Sequence, residues 1–598
     1  MADKNNFFLR FHVWRYKHIS HKNFVYILSS IIGLLAGLGA VVLKNVTHLI
    51  QYLLEGELIV EIHKAFYFIF PIIGLLLVLI AINYIVKKKV GHGIPSTLYA
   101  LSKLKGLMPK HQMWASIITA PLTVGFGGSV GLEGPTVATG AALGSNFSRL
   151  FHLSQTTRTL LIGAAAAGAM SSIFKAPIAA IVFAVEVFSL ELTVVSLIPL
   201  LLASITAVLT SYFFLGNEVL LHFDISDEFS LYDVLFYVLL GVLTAFVSVY
   251  FCKIYFAISN FFKKIANPYY KLLIGGGLLG IMVYLMPPLF GEGYETINAI
   301  LRGNEIAVIK ENLFHTLSNN FWVVILLLSF LVVFKVIAMS LTFAAGGVGG
   351  VFAPTLFTGS LLGYIFSRTV NYSQFFNHHL SQTNFAMVGM AGLMAGVLHA
   401  PLTAIFLIAE ITGGYELFIP LMIVSSISFL ITKYYVPHNI YATELAAKGE
   451  LMTHDKDKVV LMMMTMGKVV ETNFVVLHPE MTLGDVVKNA VALSTRNHFP
   501  VVDEENQFLG ILTLNDIRGI MFDQSLYQSV HVRSLMHSAT DIVNYENDSF
   551  ETILNRFKKT GSWNLVVLKK GKYYGFISRS KLLTAYRNEL IKYTSNIT

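Results

Sequence analysis

Apolar residues come in blocks along the first three quarters of the chain and in short alternations along the last quarter. The runs at 24–43, 66–86, 192–215, 234–251, 272–290 and 322–345 are nearly free of charge. At about 1.5 Å per residue, helices of that length cross the roughly 30 Å hydrocarbon core of a bilayer. Between them lie apolar pieces too short to span, at 160–174, 178–188, 356–366, 385–398 and 402–411, interrupted by Gly and Pro. Half-length helices in a membrane end at depth and point their termini at a bound ion. The pattern predicts an all-α polytopic membrane domain over 24–445, preceded by an arm at 1–23. After Tyr441 hydropathy falls and charge rises. From Met464 short strands such as Phe499-Pro-Val-Val502 and 508–514 alternate with amphipathic helices, which predicts a separate α/β unit over 464–598 behind a linker at 446–463.

The membrane part repeats itself. Gly131-Leu-Glu-Gly-Pro135-Thr136 with Thr139, Gly140, Leu143 and Gly144 matches Gly350-Val-Phe-Ala-Pro354-Thr355 with Thr358, Gly359, Leu362 and Gly363. Downstream, Ala176-Pro177 precedes Glu186 as Ala400-Pro401 precedes Glu410, at the same spacing. The repeat halves fall at about 24–215 and 232–441. Two-fold repeats of broken helices hold a substrate at their interface. The residues alone leave open whether the copies run parallel or inverted.

Composition sharpens this picture. Of 598 residues 55% are hydrophobic and 13% charged, about half the charge density of soluble domains. The net charge of +8 is spread out, with Lys87, Lys88, Lys89, Lys263 and Lys264 at the ends of apolar runs, as on cytoplasmic flanks. No basic stripe interleaved with aromatics argues for nucleic acid. The single Cys252 excludes an internal disulfide framework and a cysteine-rich metal site. The arm carries Arg10, Arg15, Lys17 and Lys22 and no cleavage pattern, so it reads as cytosolic.

Three Gly/Pro loops carry the candidate chemistry: Gly91-His-Gly-Ile-Pro95, Gly131-Leu-Glu-Gly-Pro135 and Gly350-Val-Phe-Ala-Pro354. Each opens a helix, with Pro preset for the first turn. A helix N-terminus offers unpaired N–H donors and about half a positive charge. Several converging in a dry site bind an anion without a full cation that would hold it too long. One such loop would be read as close helix packing; three, two of them repeat-related, favour an anion site.

The three loops resemble the GSGIP, GREGP and GxFxP selectivity motifs of the CLC chloride channel and transporter family, in order and spacing. Pro437-His-Asn-Ile-Tyr441 is similar to the segment bearing that family's anion-binding tyrosine. The resemblance covers essentially the whole chain. It implies the CLC fold, an inverted repeat of broken helices, in a homodimer of the cell membrane with one anion pathway per subunit and cytosolic termini. It implies an anion, chloride foremost, held by His92, Gly93, Ile94, Gly131, Gly134, Val351, Phe352 and the Tyr441 hydroxyl. The family's fluoride exporters usually depart from these loops, which disfavours fluoride. Two positions depart from the family: His92 stands where Ser is usual, and Leu132 where Arg or Lys is usual. The imidazole either donates to the anion or turns aside to the backbone, and it titrates near neutral pH.

A carboxylate in the bilayer is functional by default. Glu133 sits inside an anion-attracting loop and is expected to gate it by occupying the anion's place. Glu186 and Glu410 read more simply as helix-terminating residues, with Glu186 also a candidate for a proton pathway. Family exchangers carry protons to a second, internal glutamate, which by register would follow Glu186; here Val187 stands there. The Glu-Val pair leans toward channel-like or weakly proton-coupled conduction, with a Cl−/H+ antiporter as the alternative. A cation transporter would show more pore-lining acids, and an intramembrane enzyme would need a nucleophile–base or metal-ligand set such as HExxH, so neither is favoured.

In the tail, His498-Phe-Pro-Val-Val-Asp503 and Gly510-Ile-Leu-Thr513-Leu-Asn-Asp516 resemble a CBS domain core. Ser562-Trp-Asn-Leu-Val-Val567 and Gly575-Phe-Ile-Ser578-Arg-Ser-Lys581 repeat it, which places copies at about 464–525 and 530–590. In such pairs a Thr-x-x-Asp turn can bind an adenosine nucleotide; Thr513 and Asp516 keep it, while the second copy has Lys581. The alternative is a purely structural dimerisation tail. No cofactor is required by either reading.

Overall fold

The computed structural model describes residues 13–54, 66–88, 90–91, 93–190, 193–216, 221, 229–310, 320–374, 379–412, 416–447, 460–461 and 464–595. It comprises two compact units, Met1–Leu451 and Met452–Thr598. The predicted linker falls mostly outside the described residues.

The first unit is built of helices. Its leading half holds α1 (His21–Leu54), α2 (Phe66–Ile80), α3 (Ile94–Lys103), α4 (Ala115–Gly125), α5 (Glu133–Leu150), α6 (Gln155–Phe174), α7 (Pro177–Phe188) and α8 (Val194–Leu215). The second half holds α9 (Val234–Lys263), α10 (Pro268–Leu285), α11 (Tyr294–Leu301), α12 (Phe321–Ala344), α13 (Phe352–Ser373), α14 (Gln382–Leu398), α15 (Pro401–Ile411) and α16 (Phe418–Tyr435). Eight of the described helices are long and apolar enough to cross a membrane. At 12 and 11 residues, α7 and α15 fall well short of it.

Two pieces expected to be short belong to longer helices. Residues 160–174 lie in α6, of 20 residues, and 356–366 in α13, of 22. Their apolar stretches are flanked by polar turns, Gln155-Thr-Thr-Arg158 and Ser367-Arg-Thr369, which continue the backbone ladder but not the hydropathy. The helix α16 also qualifies as a span, although its run was not among those predicted.

The repeats meet at Gly131 and Gly350. Each donates its N–H to the other's carbonyl, at 2.9 and 2.7 Å, in an antiparallel bridge. The chain directions are opposed there, so α5 and α13 leave the joint in opposite senses, as inverted copies do. The short helices are locked reciprocally. Glu186 at the end of α7 accepts the Leu402 and Thr403 N–H groups at 3.2 and 2.9 Å, and the Thr403 hydroxyl at 2.7 Å. Glu410 at the end of α15 accepts the N–H groups of Ile178 and Ala179 at 3.1 and 2.9 Å. Repeat-related glycines set the close crossings. A Cβ at Gly140 or Gly144 would collide with the α6 backbone, and one at Gly359 or Gly363 with that of α14.

The second unit contains the predicted duplication. Strands β1 (His498–Val502) and β2 (Phe508–Thr513) form an antiparallel pair, with Leu477 bridging Val501 in parallel. Strand β3 (Ile542–Asn544) runs parallel to β4 (Asn564–Lys569), which pairs antiparallel with β5 (Lys572–Ser578), beside α17 (Phe550–Thr560). The copies exchange edges: Glu471, near the start of the first, bridges Phe576 of the second, and His537, near the start of the second, bridges Ile511 of the first. Val502, Ile511, Val566, Tyr573 and Phe576 form the joint core.

Candidate functional site

The amides that could hold an anion lie where three helices begin. Gly93, Leu132 and Val351 are the N-caps of α3, α5 and α13, and none of these turns is capped by its own side chain. At α6, α8, α10, α12 and α14, by contrast, Ser154, Thr193, Asn267, Asn320 and Ser381 cap the first turn. The uncapped ends are also buried, with Ile94, Val351 and Phe352 no more than 4% exposed. Leaving such donors dry and unpaired is costly unless a ligand meets them.

All three ends converge on Gly134. A Cβ added there would stand 3.0 Å from the Gly350 Cα, and one at Gly93 would stand 3.0 Å from the Gly134 carbonyl carbon. Gly93 also holds φ +65, in the left-handed region. Phe352 packs edge-on to Phe183 at 5.7 Å between centroids and lies 6.0 Å from Phe174, which walls the site with apolar surface.

Glu133 opens α5 and is fully buried. Its Oε1 accepts the Tyr294 hydroxyl at 2.5 Å. The N–H groups of Glu133 itself and of Ala353 face the carboxylate, while Oε2 has no partner at full hydrogen-bond geometry. The carboxylate therefore lies against the first turns of both repeats. Tyr441, 5% exposed, is an electrostatic neighbour of Glu133, and its hydroxyl has no hydrogen-bond partner among the described residues.

One predicted donor is corrected. The Gly131 N–H is engaged by the Gly350 carbonyl and is not available to an anion. Its lack of a side chain matters instead, because a Cβ there would run into Glu133 Oε2. His92 lies outside the described residues. Val187 is buried in the core, 5% exposed, and Glu186 is engaged at the start of α15.

Sequence reading missed three residues. Glu292 Oε1 accepts the Leu132 N–H at 2.9 Å, Tyr294 bonds Glu133, and Lys335 lies fully buried beneath the loop between them. Lys335 Nζ donates to the carbonyls of Gly291 at 2.9 Å and Leu289 at 3.5 Å, 4.7 Å from the Phe357 ring centroid. A lone lysine inside the apolar run 322–345 was a legible signal. Glu292 and Tyr294, in Gly291-Glu-Gly-Tyr294, carried none that distinguished them from a surface loop.

The profile of the family described as voltage gated chloride channel matches residues 73–433. The chain belongs to that family. This CLC chain also matches the CBS domain over residues 466–523. It is 28% identical over 437 residues to the H(+)/Cl(-) exchange transporter ClcA of Salmonella paratyphi B, across 71% of this chain and 88% of the relative. In fold it is similar to a slow cyanobacterial Cl-/H+ antiporter, with a TM-score of 0.62 at 19% identity, over 71% of this chain and 97% of that one. It is likewise similar to a eukaryotic CLC transporter, with a TM-score of 0.59 at 18% identity, over 93% and 97%.

In the tail, Thr513 and Asp516 form a capping box. Asp516 Oδ2 accepts the Thr513 N–H and hydroxyl, both at 2.7 Å, and meets His537 Nε2 at 3.2 Å. Partial burial pushes the carboxyl up, but the Thr513 bonds and His537 outweigh it and hold it below the usual aspartate range. Oδ2 of this carboxylate is thus already engaged within the fold.

Proposed function

We propose that this CLC chain carries chloride or a similar small anion across the membrane through a pathway gated by Glu133. The observation that carries the reading is the place of that carboxylate, buried against the uncapped first turns of α5 and α13 with the unpartnered Tyr441 hydroxyl as its neighbour. A carboxylate and a halide compete for the same donors. When the side chain is protonated or displaced, an anion takes its position, held by partial charges weak enough to release it. The active form we infer is a homodimer with one pathway per subunit and its tail in the cytosol.

On coupling, we favour channel-like or weakly proton-coupled conduction. Val187 cannot accept a proton, and Glu186, the adjacent acid, is committed to the N-terminus of α15. Carrying H+ through apolar protein without a titratable group or water is prohibitive. The second reading is H+/Cl− antiport, favoured by the 28% identity to relatives named as exchangers. Anion and proton flux in proteoliposomes separates the two. In Glu133→Gln, anion flux should persist and lose most of its pH dependence; a variant with the wild-type pH response would remove Glu133 from the gate. With a chloride gradient at clamped voltage, sustained uphill proton movement that disappears in Glu133→Gln selects the antiporter.

A further inference from the structure

The loop before α11 reaches the gate from both sides. Tyr294, the first residue of α11, is hydrogen-bonded to Glu133 across 161 positions of chain. Two residues earlier, Glu292 bonds the amide of Leu132, immediately before the gate residue. The loop is itself pinned. Gly293 caps α11 at φ +88, and a Cβ there would meet the Phe357 ring at 2.6 Å and Lys335 Nζ at 3.3 Å. Lys335 in turn holds the Gly291 carbonyl from α12. A loop needed only for packing has no reason to aim a phenol at a buried carboxylate, at a length typical of strong O–H···O− bonds.

We propose that the Gly291–Tyr294 loop is a latch of the anion gate, with Tyr294 the positioning residue that holds the Glu133 carboxylate in the anion's place. The proposal rests on the reading of Glu133 as the gate. The bond exists only while Glu133 lies in the site, so it stabilises the closed state and leaves the open one untouched. The other groups facing Glu133 are Glu292 in the loop and Tyr441 after α16, with Lys335 on α12 and Lys44 on α1 facing Glu292.

The test measures anion flux against pH in proteoliposomes for wild type, Tyr294→Phe, Glu133→Gln and the double variant. Tyr294→Met serves as a second hydroxyl-free replacement should Tyr294→Phe not fold, and folding is checked by size exclusion and thermal melting. Without the hydroxyl, the pH of half-maximal flux should move alkaline, and flux at alkaline pH should rise several-fold toward that of Glu133→Gln. In the Glu133→Gln background the same change should add nothing. If Glu133→Gln loses its pH dependence but Tyr294→Phe keeps the wild-type profile, or alters flux equally in both backgrounds, the latch is overturned and the gate stands. If Glu133→Gln keeps the wild-type pH response, the gate reading falls and the latch with it.

Discussion

At Gly134 the absence of a side chain decides whether three helix N-termini can meet. A methyl group there would press on the Gly350 Cα at 3.0 Å and the Gly349 carbonyl at 3.2 Å, which are backbone atoms that cannot rotate away. Gly134→Ala is expected to cost on the order of 1–3 kcal/mol of overpacking and to depress anion flux by spreading α5 from α13. The control is Gly277→Ala in α10, where nothing lies within 4 Å and the change should be neutral. Thermal melts and flux on both variants check this. At the residue scale Glu133 was legible because an acid inside a Gly/Pro loop is rare and local. Its partner Tyr294 was not, since a bond across 161 positions leaves no trace in spacing.

Among the elements, what distinguishes the helices is who satisfies their first turn. The helices α6, α8, α10, α12 and α14 carry their own Ser, Thr or Asn cap, whereas α7 and α15 begin Ala-Pro and borrow a carboxylate from each other. This gives Glu186 and Glu410 a structural role that the repeat spacing hinted at and the reciprocal bonds make concrete. Removing either acceptor leaves two N–H groups unpaired at a positive helix end. Glu186→Ala and Glu410→Ala should each destabilise the membrane domain by roughly 1–2 kcal/mol, read as a lower melting temperature. The pH dependence of anion flux should stay as in wild type. A selective loss of proton movement in Glu186→Ala, with stability intact, would instead put that residue on a proton route.

For the whole molecule, membrane domain and tail answer to different physics. The tail is held by strand pairing and exposed capping boxes and therefore responds to pH directly. Because Asp516 is held below its usual range in the fold, its contribution is complete above the ordinary aspartate value near 3.8 and is lost as pH falls below that through the lowered one. Asp516→Ala should lower the melting transition of the tail within the full chain at neutral pH, and flatten its dependence on pH in this acid range. The same variant addresses the nucleotide expectation. If Asp516 serves only Thr513 and His537, adenosine nucleotides will not shift the tail transition in the wild-type chain; a shift that Asp516→Ala abolishes would assign it the ribose.

The sequence by itself determined what is local. Apolar block lengths marked the membrane domain, three Gly/Pro loops marked helix ends, and Glu133 stood within one of them. It also announced the duplication, in the tail as in the membrane part. Tertiary structure alone decided which ends remain uncapped, that the copies are inverted about Gly131 and Gly350, and that the Gly131 amide is engaged there. It alone brought Tyr294, Glu292 and Lys335 to the gate. The reason is physical: hydropathy and turn chemistry are properties of neighbours in the chain, whereas a hydrogen bond in a dry site depends on which distant atoms the packing brings together.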